Sequence, residues 1–343
     1  MTQRTNSVSW IDKLIAWVEL LPGPNWLFYL ISLITLGIAN NSILWIEGIN
    51  PVGHFVFGES TDAIWAVGFL AFFHHNKAIA KEVLLEILPL IDTADENYSS
   101  LENRLLNLPA KLGWLAIGMG TILLTPVSLT YANTTFSLLS SKVYTVLTGT
   151  LFAAGFFAFI FQTMRQLRII SSLQTSISGI DLLNLRPALA FSKFTSKTGM
   201  LLIFFVVFAV IQAIVLGSSV EDATEYSAWL ALNLSMLAGS LAIFVLPLAS
   251  LRYKLLEEKK RYLEELNKLI KSIYAQIRER LSHNKLEETS ELKTALEILL
   301  VEREDIRSVS TLPWETSTFR SFASTFLFPI ILWAATRILE RFL

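Results

Sequence analysis

The sequence contains no cysteine, which removes disulfides, thiol nucleophiles and cysteine-ligated metals from consideration. Charge is scarce too: Asp, Glu, Lys and Arg make up 17% of 343 residues, against 53% apolar residues. A soluble chain of this length typically carries about 25% charged residues to cover its surface. The net charge of −1 provides no global basic field to attract nucleic acid. No GxSxG, P-loop, GxGxxG or HExxH pattern occurs, and no aspartates pair within an apolar run, so neither an enzyme nor a cofactor is expected.

What the chain does have is long hydrophobic runs, and mean hydropathy is +0.51. A transmembrane helix needs about 20 largely apolar residues. Trp26–Trp45, Leu112–Tyr131, Val143–Met164, Thr198–Gly217 and Ala228–Ser250 meet this without a single charge. Phe55–His75 carries Glu59 and Asp62 near one end, leaving Ala63–Phe73 as its clean apolar part. Ser321–Thr336 contains Pro329, expected to kink it, and is followed by Arg337, Glu340 and Arg341. Together these predict an all-α, polytopic transmembrane bundle of about seven spans in a cell membrane.

Charge placement orients that bundle. With the N-terminus cytoplasmic, 25 of the 28 Lys and Arg residues fall inside, and only Lys142, Arg337 and Arg341 fall outside. Residues 1–24 are expected to form an N-terminal interfacial helix, with Trp10, Ile11, Leu14, Ile15, Trp17, Val18 and Leu21 on one face before Pro22-Gly23-Pro24 breaks it. Ile11–Leu21 is too short and too charged for a cleaved signal peptide, so the first span is expected to serve as an uncleaved anchor. Residues 25–250 form the six-span region, with short cytoplasmic helices at 76–109 and 180–192. In the first of these, Lys77–Ile91 forms one helix and Asp95 caps the next.

Residues 251–315 predict a cytoplasmic helical hairpin. Leu255, Tyr262, Leu266, Leu269, Ile273, Ile277 and Leu281 recur at helical spacing, continuing out of the sixth span. Ser282-His283-Asn284-Lys285 suggests a turn, and a second helix over Leu286–Arg307 returns the chain to Pro313-Trp314. Residues 316–343 are the last transmembrane helix.

Several motifs invite chemistry and have plainer readings. Ser282-His283-Asn284-Lys285-Leu286 resembles the phosphoacceptor box of sensor histidine kinases. That chemistry needs an ATP-binding domain downstream, where only another hydrophobic helix follows. His74 and His75 are adjacent and point about 100° apart on a helix, which suits an interfacial position better than one metal. Asp92-Thr93-Ala94-Asp95-Glu96 resembles half of an aspartate-rich Mg²⁺-diphosphate motif and has no second half. A lipid-modifying enzyme would need a cavity joining Asp92 and Asp95 to His74 or His75. Gly149/Ala153, Ala154/Ala158 and Ser235/Gly239 are small-residue pairs that let helices approach closely.

The candidate functional residues cluster at the last helix and the outer rim. Ser321, Ser324 and Thr325 fall near one face, and a hydroxyl-bearing helix kinked at Pro329 can line a water-filled path. Glu59 and Asp62, at i,i+3, would form an acidic vestibule or pair with Arg337 and Arg341. In outline, seven spans with an inside N-terminus and long cytoplasmic helices before the last span are similar to the insect odorant and gustatory receptor channels. The similarity is topological; Phe319–Leu343 lacks their aromatic C-terminal signature, so it implies no residue roles.

The expected function is a membrane channel or receptor-channel, homo-oligomeric, with the last helix near the permeation path. The alternative is a non-conducting receptor or scaffold whose hairpin binds a partner. Expected partners are the lipid bilayer, further copies of the chain, and a cytoplasmic protein or small-molecule ligand, with no nucleic acid.

Overall fold

The computed structural model describes residues 8–55, 61–88, 98–176, 182, 185–215, 223–282 and 289–339. Glu59, Asp92, Asp95, the turn at 283–288 and Arg341 lie outside these residues, as does the side chain of Asp62. The described residues are almost entirely helical, with no strand among them beyond an isolated bridge between Val8 and Pro109. Their helices are α1 (Trp10–Glu19), α2 (Asn25–Ile46), α3 (Thr61–Ile87), α4 (Tyr98–Leu106), α5 (Ala110–Thr135), α6 (Leu139–Ser176), α7 (Arg186–Val215), α8 (Ala223–Ser282), α9 (Thr289–Ser308) and α10 (Thr316–Leu339).

Five helices, α2, α6, α7, α8 and α10, contain stretches long and apolar enough to cross a membrane. The expected spans Phe55–His75 and Leu112–Tyr131 fall on α3 and α5, which are not among the five. In α3 the clean apolar part, Ala63–Phe73, is about 16 Å long at 1.5 Å per residue, roughly half the hydrocarbon layer. The apolar segment of α5 runs over Ala110–Leu123.

Two boundaries differ from the sequence reading. α3 runs unbroken through His74, His75 and Asn76 into Lys77–Ile87, joining a span and a separate helix into one. α7 likewise fuses the expected short helix near 180–192 with the span that follows. Neither junction contains a breaker: Pro187 sits in the first turn of α7, where its missing N–H is unneeded anyway.

In the bundle, α6 lies between α5 and α3, and α3 between α6 and α7, with α2 against the outer side of α3. α7 supports α8 and α10. Where α3, α6 and α7 meet, aromatics fill the core: Phe69 stacks on Phe205 at 3.8 Å, and Trp65, Phe152 and Phe156 surround them. Bilayer helices gain little from apolar burial itself and depend on close packing. Glycines supply it here. A Cβ at Gly120 would lie 2.9 Å from the Ala154 backbone nitrogen, which pins α5 to α6 at the Ala153–Ala154 step. The Ser235/Gly239 pair is different, because nothing lies within 4 Å of a Cβ at Gly239.

The two ends of the bundle differ in chemistry. At one end the Glu47 carboxylate accepts from the Leu138 N–H (3.1 Å) and the Ser141 hydroxyl, and Lys142 lies next to this contact. At the other end gather Lys13, Lys77, Arg165, Lys193 and Lys197, and α6 crosses from the first end to the second. We refer to the second as the basic end.

α1 caps the basic end. Its apolar face, Ile11, Ile15 and Val18, is buried in the cluster that contains Phe69, Phe73 and Leu108, while Trp17 and Leu20 stay exposed. The expected interfacial helix is therefore seated on protein along its main apolar face. On the same end α8 extends as one helix of 60 residues, about 90 Å long. α9 runs back along it. Tyr262 donates to Glu302 (2.9 Å), and the Lys259 ammonium donates to the carbonyls of Arg307 (2.8 Å) and Val309 (2.7 Å) at the α9 C-terminus.

Candidate functional site

α10 is the starting point, because the sequence concentrates its candidate residues there. The Ser324 and Thr325 hydroxyls both donate to the Ser321 carbonyl, at 3.0 and 2.8 Å. Such back-bonding satisfies a hydroxyl proton within its own helix and makes it tolerable at low dielectric. Ser324 and Thr325 line a groove of about 670 Å³ between α3, α7 and α10, together with His75 and Lys197. Phe72, Leu201, Phe204, Val207 and Phe328 form its apolar walls. Ser321 sits exposed one turn away and does not line it. Arg337 is exposed too, about 18 Å beyond Thr325 along the helix axis. The structure thus brings Ser324 and Thr325 together with two groups that sequence reasoning did not assign to them, and leaves Ser321 and Arg337 apart.

The direction of the hydroxyls matters. α10 seats Phe322 on α7 and α8, turns Ser324, Thr325 and Phe328 to the groove, and leaves Leu327, Ile331 and Ile338 exposed on a further face. The polar stripe therefore opens on an apolar groove, and the outermost face of α10 is apolar.

The groove's mouth at the basic end is fixed by charge. Glu82 accepts from Lys193 (2.7 Å) and Lys197 (3.1 Å), and Glu86 accepts from Lys193 (2.6 Å), which ties the charged half of α3 to α7. Hydrogen bonds from Lys193 and then Lys197 hold the Glu82 carboxyl below the usual carboxylate range. Lys197 sits one helical turn before Leu201 and so places its ammonium at the groove's polar edge.

His74 and His75 diverge as adjacent helical residues must. His75 faces the groove. His74 faces the opposite side, where Tyr29 Oη is 2.8 Å from Nδ1 and Glu19 Oε1 is 3.2 Å from Nε2. A proton assigned to Nε2 lets Glu19 accept from it and Tyr29 donate to Nδ1. The two rings thus serve separate sites.

Deeper in the same end lies a connected set of buried polar groups. The Asp12 carboxylate, 2% exposed, accepts from Ser9 Oγ (2.7 Å), Lys77 Nζ (2.7 Å) and the Leu108 N–H (2.8 Å). Asn76 donates to Gln166 (2.7 Å) and accepts from Thr198 (3.0 Å), while Gln166 and Gln162 donate to the Leu105 carbonyl. Arg165 donates to the Asn107 carbonyl. These bonds join α1, α3, α6, α7 and the 107–108 turn around groups that would each be costly to leave unpaired.

Sequence reasoning did not single out this set. The only local signal was spacing: Asp12 and Glu19 are i,i+7 on α1, and their partners Lys77 and His74 are i,i+3 on α3. No family model, curated protein or solved structure matches this chain.

Proposed function

We propose that this chain is a multi-pass cell-membrane receptor or scaffold that does not conduct ions, with seven spans, a cytoplasmic N-terminus and a partner-binding surface on the α8–α9 hairpin. The observation that carries it is a set of uncovered apolar side chains on the hairpin. Leu269, Tyr274 and Leu281 on α8, and Ile298 and Val301 on α9, are 53, 52, 49, 62 and 62% exposed. Their helices carry too much charge to lie in hydrocarbon, with Glu264, Lys268, Lys271 and Arg278 among them. Uncovered apolar side chains on a charged hairpin can contact the apolar face of a partner's amphipathic helix.

Three features support the topology. The basic end gathers nearly all the lysines and arginines, as a cytoplasmic face does. α3 packs against α2, α6 and α7, and its charged half, with Lys81, Glu82 and Glu86 exposed, lies at the basic end. α5 has 26 residues, about 39 Å, enough to accompany α6 across the bilayer. α8 then runs as one helix from the seat of α10, at Phe244, through Pro247 to the hairpin.

A homo-oligomeric channel with α10 near the permeation path is the second reading. It is favoured by how little of α10 is covered: 11% of its apolar window is buried, against 56% for α7. The uncovered Ser235/Gly239 strip would admit a second copy at close range. Ion flux through liposomes holding the full chain separates the two readings. The receptor reading predicts none above protein-free liposomes, and a protein-dependent flux would replace it with the channel.

A further inference from the structure

We infer that the groove between α3, α7 and α10 is a binding site for an anionic membrane lipid, its phosphate at Lys197 and His75 and an acyl chain along Phe204 and Phe328. The shape fits a molecule with two unlike ends. About 670 Å³ of space runs between apolar walls and ends in a polar edge where α3 turns from Phe72–Phe73 to Lys77 and α7 turns from Lys197 to Met200. That edge is where an acyl chain would meet its headgroup.

The polar edge presents donors. Lys197 uses one of its three ammonium protons on Glu82. His75 is exposed at the groove's edge, and its ring makes no hydrogen bond to any described residue. Its ring nitrogens are therefore open to a ligand at that edge. On α10, Ser324 and Thr325 have their protons committed to Ser321, so the donors at this edge come from α3 and α7. Arg320, one turn nearer the basic end than Ser324, adds a second cationic group on the flank of that face.

Charge selects the headgroup. Around the mouth stand Lys193, Lys197 and Arg320 against Glu82 and Glu86, a local excess of one positive charge with His75 neutral. A zwitterionic lipid would bring an ammonium into this excess, whereas a phosphatidylglycerol brings only its phosphate. The basic end is also the end proposed to face the cytoplasm, where anionic lipid is attracted by basic residues. The inference rests on α7 and α10 being spans and is independent of whether the chain conducts or recruits a partner.

The test is native mass spectrometry of the full-length protein in detergent, with phosphatidylglycerol and phosphatidylcholine of identical acyl chains competing. Wild type retains phosphatidylglycerol preferentially. Lys197→Gln lowers that preference about fivefold, the effect of one basic group at a membrane surface, and Lys197→Arg keeps it. Phe204→Ala lowers retention of both lipids alike. Glu82→Gln supplies the sign that a structural role does not: it frees Lys197 from its internal partner and raises phosphatidylglycerol retention. Thermal unfolding of each variant shows that it is folded. Equal retention of the two lipids by wild type, no change in Lys197→Gln, or a loss in Glu82→Gln overturns the assignment.

Discussion

The ring of Phe322 fills the space that any side chain at Gly199 would need. A Cβ built on Gly199 lies 2.9 Å from Phe322 Cε2 and 3.0 Å from the Ser240 carbonyl oxygen. Phe322 in turn stacks on Phe244 of α8, centroids 4.2 Å apart and planes 19° from parallel. One glycine on α7 therefore sets where both α8 and α10 sit.

Gly199→Val is expected to unseat α10. Overpacking costs about 1–3 kcal/mol, and here a backbone carbonyl stands in the way on one side. The absence of cysteine makes the readout clean: a single Ser240→Cys reporter, at a fully buried position beside Gly199, gains maleimide reactivity in Gly199→Val relative to the same reporter alone. Unchanged reactivity would show that the groove does not depend on this seat.

Removing Lys77 is expected to be worse than removing both members of its pair. Lys77→Met strands the Asp12 carboxylate, with a cost of about 3–5 kcal/mol for a buried charge left uncompensated. Asp12→Leu together with Lys77→Met removes the charge as well and recovers part of that loss. Thermal unfolding in detergent of the two variants gives the order directly.

Gln166→Leu leaves the Asn76 amide without its acceptor, while the Leu105 carbonyl keeps Gln162, at about 1–3 kcal/mol for one buried unsatisfied group. Thr198→Val removes only the donor to Asn76 and is expected to cost less. The comparison by unfolding midpoint distinguishes a connected network from independent bonds.

Acid is expected to loosen the tie between α3 and α7. Glu82 is held charged by Lys193 and Lys197 below the usual carboxylate range. Its contribution is present at neutral pH and is lost progressively once the pH falls below about 4. Because the group is largely exposed, the effect is under about 1 kcal/mol and shrinks in high salt. Glu82→Gln should flatten this part of the stability-against-pH curve between pH 5 and 3, leaving only the slope from other carboxylates.

The helical membrane character was legible in the sequence because the runs within α2, α6, α7 and α8 are free of charge over about 20 residues, a bilayer's width. The joins within α3 and α7 were harder to read. Apolar periodicity there changes partner, from neighbouring helices to the basic-end surface, without a Gly or Pro to mark a stop, so one helix looks like two. Asp12 and Lys77 lie 65 residues apart, and nothing local announces that a helix before the first span will fold back onto α3. The hydroxyl face of α10 could be found from spacing, but the neighbour it meets could not. Helical period fixes which residues share a face and says nothing about what covers it.

On the function proposed above, the uncovered apolar residues of the α8–α9 hairpin bind a partner. The direct measurement is quantitative capture from solubilised membranes with two baits, the full-length protein and its Leu269→Asp, Ile298→Asp variant, after confirming equal unfolding midpoints. The account predicts a discrete protein enriched by wild type and reduced at least tenfold with the variant bait, equivalent to about 1.4 kcal/mol, and re-formation of the complex from the two purified proteins. The same proteins captured equally by both baits would contradict it.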